Sequence, residues 1–454
     1  MIFQLNPESK QFYKSLFVIV APIALQNLLS SLVSSLDVVM LGFVGQTAIA
    51  AVSLANQVQF ILMLFYIGLA SGLTMLTAQY WGKQDYKSLK ILTGTALRIS
   101  AAAGFIFSFT VIFFPQHIMK VFTNEGPMIE TGALYLRTVG ISYFFLAISQ
   151  VYQAILKSIE HVKTATATTI IALGLNMFLN ATFIFGWFGL PKMGVFGIAL
   201  ATVIARTVEL FVCIFAGFKI REVKITPFCF FLHNKLLSKD FVKYSLPAVG
   251  NEFVWGAAFA TYSVILGHLG EDIVAANSVV NVVRNLASIV CFGMAYGGAI
   301  LLGKQMGEGK LELAKANAGR LVKSTIAAGV LGGIVMLLLR PVLPMIADLN
   351  ETASGFRNML LVINSYSLLG ATINTVLICG VFRAGGDAKF GFITDSVFMW
   401  FVSVPLGMVA AFILKLPPLW VYFILFLDEF EKMPVIVVHY LKGKWLKNIT
   451  RDEI

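Results

Sequence analysis

Charge is what this sequence is shortest of. Only 13% of its 454 residues are Asp, Glu, Lys or Arg, about half the share expected of a soluble domain, which is roughly 25%. The deficit excludes an ordinary water-soluble globule, because 58% of the residues are hydrophobic and the mean hydropathy is +0.83. Histidine is scarce too: His117, His161, His233, His268 and His439 all fall at span ends or in loops. They form no HExxH, no metal-ligand spacing and no nucleophile–base set, and no Gly-rich phosphate loop follows a strand. Neither a catalytic role nor ATP-driven pumping by this chain is therefore expected. The four cysteines, Cys213, Cys229, Cys291 and Cys379, lack disulfide or metal spacing and read as small hydrophobes.

What is present instead is oil in long pieces. Apolar runs recur at roughly 15–42, 49–80, 91–114, 132–157, 164–187, 193–218, 244–268, 271–303, 318–340, 358–384, 390–414 and 417–441. Each approaches or exceeds the length of about 20 residues that crosses a bilayer core of about 30 Å. The runs are continuous rather than alternating, which excludes a β-barrel. The expected fold is an all-α polytopic membrane protein with twelve transmembrane helices and no cofactor. The first run is too long for a cleavable leader and reads as a retained anchor.

The net charge of +11 follows from topology rather than from nucleic-acid binding. Basic residues gather after the even-numbered spans and at the ends: Lys83, Lys87 and Lys90; Lys219, Arg221 and Lys224; Lys304, Lys310 and Lys315; Lys442, Lys444 and Lys447. The opposite loops hold Lys120, Lys192, Arg340, Arg357 and Lys415. By the positive-inside rule both termini are cytoplasmic, in a plasma (bacterial inner) membrane. The expected organisation is an N-terminal six-helix bundle (1–218), a basic cytoplasmic linker (219–243), a C-terminal six-helix bundle (244–441) and a cytoplasmic tail (442–454).

Sliding the chain by 225 residues superimposes its halves without a gap. Pro22 meets Pro247, Gly42 and Gly45 meet Gly267 and Gly270, and Gly68, Ala70 and Gly72 meet Gly293, Ala295 and Gly297. Residues 21–82 give 15 identities in 62 against 246–307. Six spans separate equivalent helices, so the two bundles form a parallel repeat, an arrangement common in secondary transporters.

The few charges inside the spans are then candidate functional groups, because an acid in hydrocarbon costs a few kcal/mol or more to insert. Asp37 is the only ionisable side chain between Leu16 and Val44. Its repeat partner is Tyr262, whereas Glu252, the acid of the seventh span, matches Asn27. Each bundle is thus expected to carry a lone carboxylate in its first helix. Asp37 either binds a coupling cation or reaches interfacial water. Asn176 and Asn180 share a helix face at i, i+4, as part of a cation site or as an interhelical bond. Arg206 and Glu209 are spaced to pair, and Arg284 has no partner in sequence and faces a cavity. Asp428, Glu429, Glu431 and Lys432 interrupt the twelfth span; Asp387 lies in a turn and Asp395 at the interface.

With these residues in view, the chain resembles the multidrug and toxin extrusion (MATE) family. The resemblance rests on SLDVVMLG (35–42), GVFRAGGDAKF (380–390) and NMFLNATFIFG (176–186) followed by MGVFGIALATVIA (193–205). It implies export of amphipathic organic cations by a monomer in the lipid bilayer, in exchange for inward H⁺ or Na⁺. It further implies an ion-coupling site at Asp37, Asn176, Asn180 and Thr202, the possible Na⁺ ligands. Asn180 stands where the family commonly has Asp. In the C-terminal bundle the position of a family acid is Trp255, and Thr372 or Asn374 replaces another. Glu252, Trp255, Tyr262, Arg284 and Asn374 are the candidates there for substrate binding or coupling, with Phe60, Tyr66 and Trp255 as aromatic lining. A flippase for a lipid-linked precursor is the nearer alternative, and a membrane-embedded enzyme or receptor-like binding protein the remoter one.

Overall fold

A computed structural model describes residues 7–346 and 349–452. All regular structure among the described residues is helical. The elements are α1 (Pro7–Gly42), α2 (Gln46–Gly82), α3 (Tyr86–Phe113), α4 (Pro115–Phe122), α5 (Gly126–Ser158), α6 (Val162–Phe185), α7 (Gly194–Lys219) and α8 (Lys235–Gly267). There follow α9 (Glu271–Gly307), α10 (Leu311–Leu338), α11 (Leu343–Ile346), α12 (Glu351–Phe382), α13 (Ala388–Ile413), α14 (Pro418–Leu425), α15 (Asp428–Glu431) and α16 (Met433–Leu441).

Ten of these are long and apolar enough to cross a membrane. The two remaining spans differ for physical reasons. The apolar part of α8 is diluted by Asn251, Glu252, Thr261, Tyr262 and Ser263. The twelfth span is not one helix but three, α14, α15 and α16, broken around Leu427 and Lys432. Charged side chains at Asp428, Glu429 and Lys432, and a missing N–H at Pro434, explain the breaks. Such breaks occur inside membranes only where neighbouring protein satisfies the freed groups. Pro22 and Pro247, the repeat pair, both lie within helices.

The chain divides into two compact units. Among the described residues, one comprises 25–77 and 85–242; the other comprises 7–24, 78–84, 243–346 and 349–452. In the first, α5 packs against both α3 and α7, and α7 against α6. Leu62, Tyr66, Leu136, Val139, Tyr143 and Ala199 are buried between them. In the second, α9 packs against α10 and α12 around Tyr262, Val280, Met336, Leu360 and Tyr422. Large apolar side chains such as Phe17, Phe105, Phe109, Leu331 and Leu338 are exposed, as acyl chains require.

Within the second unit the end of α2 crosses the end of α9 at repeat-related positions. A Cβ on Gly307 would collide with the carbonyl oxygen of Gln79, and one on Gly82 with that of Lys304. Gly82 and Gly307 are 225 residues apart, as are Gln79 and Lys304, so the duplicated glycines meet at one crossing. Small residues at such crossings let backbones approach closely. Gly307→Ala is expected to cost about 1–3 kcal/mol by overpacking. Thermal unfolding of the purified protein checks this: an unchanged midpoint would show that the crossing yields freely.

Candidate functional site

In the first unit α1, α2, α5, α6 and α7 surround a cavity of about 340 Å³. Its polar wall includes Ser34, Asp37, Asn56, Asn176, Thr202 and Arg206, and Phe60 and Met63 lie on its apolar side. Asp37 comes from the last turns of α1. Asn176 and Asn180 stand one turn apart on α6; Thr202 and Arg206 do the same on α7, which packs along α6.

The four residues expected from the sequence form one chain of hydrogen bonds. Asn180 Nδ2 donates to Asp37 Oδ1 at 2.8 Å and to Asn176 Oδ1 at 3.2 Å. Asn176 Nδ2 donates to Thr202 Oγ1 at 3.4 Å, and Thr202 donates to the carbonyl of Ile198. Asn180 is buried behind the cavity, and its Oδ1 has no hydrogen-bond partner. Arg206 and Glu209 pair at 2.7 Å, as their spacing suggests, and Gln153 donates to the second oxygen of Glu209 at 2.6 Å. The arginine on the cavity wall therefore has its charge balanced locally. Asp37 has no ion-pair partner among the described residues; its carboxylate opens on the cavity with an amide as its hydrogen-bonding neighbour.

Phe60 lines this cavity, as expected, but Tyr66 does not: it is 2% exposed in the unit's core. Sequence reasoning missed Asn56, which accepts from Tyr135 at 3.3 Å. Its signal was available, because Asn56 is one of the identities with the second repeat, at Asn281.

The second unit is organised differently. Glu252 is not a lone carboxylate: both terminal nitrogens of Arg383 donate to its Oε1 at 3.0 Å. Arg383 also donates to Asn251 Oδ1 at 2.7 Å, and Asn251 donates to Asp395 Oδ2 at 2.7 Å. Asp395 is not interfacial but 6% exposed, with its other oxygen 3.2 Å from Lys432 Nζ. Lys432 further meets Glu429 at 3.3 Å and Asp428 at 3.5 Å. Asn374 Nδ2 closes the network on the carbonyl and carboxylate of Glu429 at 2.6 and 2.8 Å. Four carboxylates thus share two cations, Arg383 and Lys432, in one buried chain.

Arg284 lies over the faces of Phe259 and Phe426, at 5.2 and 4.8 Å from their centroids. Trp255 packs on Phe259 at 4.7 Å, and Tyr262 is buried against Phe259 and Phe426. These three expected site residues therefore belong to one aromatic cluster. Asn374 stands apart from it, in the ionic network. The donors around Asp37 are one carboxylate, two amides and a hydroxyl, and no group of three or more His, Cys, Asp or Glu among the described residues could hold a metal ion.

The MatE family profile matches residues 22–182 and 247–412, two segments whose starts are separated by the repeat offset of 225. The chain is 25% identical to a probable multidrug resistance protein of Bacillus subtilis, YoeA, over 97% of this chain and 96% of that one. It is 23% identical to a probable multidrug resistance protein NorM of Thermotoga maritima, over 98% and 96%. Among solved structures, a mutant of the Vibrio cholerae MATE transporter VcmN has a TM-score of 0.87 at 16% identity, covering 96% of this chain and 98% of that one. Two MatE segments, twelve spans in two six-helix repeats and a membrane acid on a cavity wall agree: the chain belongs to the MatE family of multidrug efflux transporters and is not an enzyme.

Proposed function

We propose that this protein is a secondary active antiporter that exports amphipathic organic cations by alternating access, with Asp37 as the group that couples export to an inward ion. The observation that carries the reading is the state of Asp37: a carboxylate on a cavity wall with an amide neighbour and no ion-pair partner among the described residues. An organic cation and a coupling ion then compete for one charge. When the carboxylate is loaded, nothing is left to hold the drug, which leaves. Phe60 and Met63 offer shape-tolerant apolar contact to a variety of substrates. The Arg206–Glu209 pair adds no net charge to that competition.

The coupling ion in this reading is H⁺. A Na⁺ ion held by Asp37, Asn176, Asn180 and Thr202 needs oxygens turned inward, whereas Asn180 presents its N–H to Asp37. That hydrogen bond serves the carboxylic acid as well as the carboxylate, so a proton comes and goes without rebuilding the site. Both termini lie on the basic, cytoplasmic side of the plasma membrane, the bundles span 1–218 and 244–441, and the protein works as a monomer. Glu252, engaged by Arg383, serves the second bundle as a positioning group.

Dye efflux from proteoliposomes under separately imposed gradients tests the reading. A pH gradient at symmetric Na⁺ is expected to drive export, and a Na⁺ gradient at symmetric pH is not. Export driven by Na⁺ alone would reverse the choice of ion. Export driven by neither would remove antiport itself.

A further inference from the structure

The second unit holds another cavity, of about 350 Å³, where the start of α13 faces the end of α16. Phe390, Pro434, Val435 and Val438 make its floor apolar, while His439, Lys442 and Lys444 make its rim basic. No carboxylate among the described residues lines it.

The wall is fixed by contacts that have no part in transport as proposed above. The ring of His439 stacks on that of Phe390 at 3.7 Å and an interplanar angle of 8°. His439 Nε2 meets Asp387 Oδ2 at 2.7 Å, which gives the aspartate of the RAGGDAK turn a role in shaping this cavity. Val435, Val438 and Leu441 are exposed at i, i+3 and i+6, an apolar stripe along the outer face of α16.

The two lysines are held in place as well. Trp445, next in the chain, is 1% exposed and stacks on Tyr440 at 5.8 Å. Beyond it, buried Gln79 donates to the carbonyl of Lys447 at 3.0 Å and accepts from the N–H of Ile449 at 2.7 Å. Lys442 and Lys444 therefore stand on a docked segment at the mouth of an apolar groove.

An occupant that matches this surface is apolar along about two helical turns and anionic at one end. A free anion would leave the floor wet, and an organic cation would meet the lysines. We propose that this cavity is a binding site for an anionic phospholipid, with an acyl chain against Phe390, Val435 and Val438 and the phosphate on Lys442 and Lys444. Basic pockets between membrane helices bind anionic headgroups by the same physics.

The test is native mass spectrometry of the full-length protein titrated with phosphatidylglycerol, phosphatidylcholine of the same chains, and glycerol phosphate. The wild type is expected to bind phosphatidylglycerol at least fivefold tighter than phosphatidylcholine, and glycerol phosphate not to compete. Lys442→Gln with Lys444→Gln is expected to bring the two lipids level, while Lys219→Gln with Lys224→Gln leaves the preference intact. Equal binding of both lipids by the wild type overturns the proposal, as does a preference that survives the 442/444 change or falls equally with the 219/224 change. Competition by glycerol phosphate would reduce the site to a simple anion site. Dye efflux by the double variant reads a different property, so the antiport reading stands or falls separately.

Discussion

Asp37→Asn is expected to abolish ion-driven export while leaving the protein as stable as before, or more so. The substitution keeps the size of the side chain and an oxygen to accept from Asn180, so the hydrogen-bond chain through Asn176 to Thr202 persists. What it removes is the charge for which drug and proton compete. Coupling between two ligands typically amounts to about 1–3 kcal/mol, or 5–150-fold. A drop of at least tenfold in dye efflux under a pH gradient is therefore expected in proteoliposomes.

The stability readout decides what kind of residue Asp37 is. A structural carboxylate contributes to folding, and its loss lowers the melting temperature. A functional one is held in the membrane at a cost of a few kcal/mol, and replacing it with a neutral isostere relieves that cost. Retained pH-driven efflux in this variant would refute the coupling role. Lower stability together with lost transport would assign Asp37 to the scaffold instead.

How far the sequence could lead differs between the two units, and the reason is physical. Asp37, Asn176 and Asn180 stand out as polar residues in apolar runs, whereas Thr202 is singled out only by the family resemblance; the four lie on three helices. Isolation makes the first three conspicuous, and all four do meet. In the second unit the ionic partners are distant in sequence: Glu252 and Arg383 are 131 residues apart, and Asn251 and Asp395 are 144 apart. No local spacing announces such pairs. Asp395 looked interfacial because it closely follows the RAGGDAK turn. Seven residues beyond Ala388, at about 1.5 Å each, nonetheless place it roughly 10 Å along α13.

Helix irregularity was equally hidden. α12 passes through a π-helical stretch, Val376–Phe382, immediately before Arg383, and α13 through another, Ser396–Ser403, immediately after Asp395. Such insertions often occur at functional sites, and apolar periodicity does not register them. The third contributor, Lys432, sits at the break before α16. All three helices are thus distorted where they feed the network. The repeat explains the overall frame, including the Gly82–Gly307 crossing, but the network built on Arg383 and Lys432 belongs to the second half alone.

Lys432→Met is expected to be the most destabilising of the substitutions considered for this protein. The ammonium stands 3.2 Å from Asp395, 3.3 Å from Glu429 and 3.5 Å from Asp428, and its side chain is 4% exposed. Methionine fills a similar volume, so the cavity left behind is small and the loss is electrostatic. Breaking a buried ion pair by removing one partner costs about 3–5 kcal/mol, because the remaining charge is stranded. Here three carboxylates lose one counter-charge, and Arg383 is committed to Glu252 and Asn251. A fall of roughly 10 °C in the unfolding midpoint is expected, taking about 2–4 °C per kcal/mol for a unit of this size. The cost should be recoverable by removing charge rather than restoring it. Adding Asp428→Asn and Glu429→Gln leaves Asp395 with the amide of Asn251, and much of the lost stability is expected to return. A triple variant no more stable than Lys432→Met alone would mean that packing, not charge balance, holds this part of the fold.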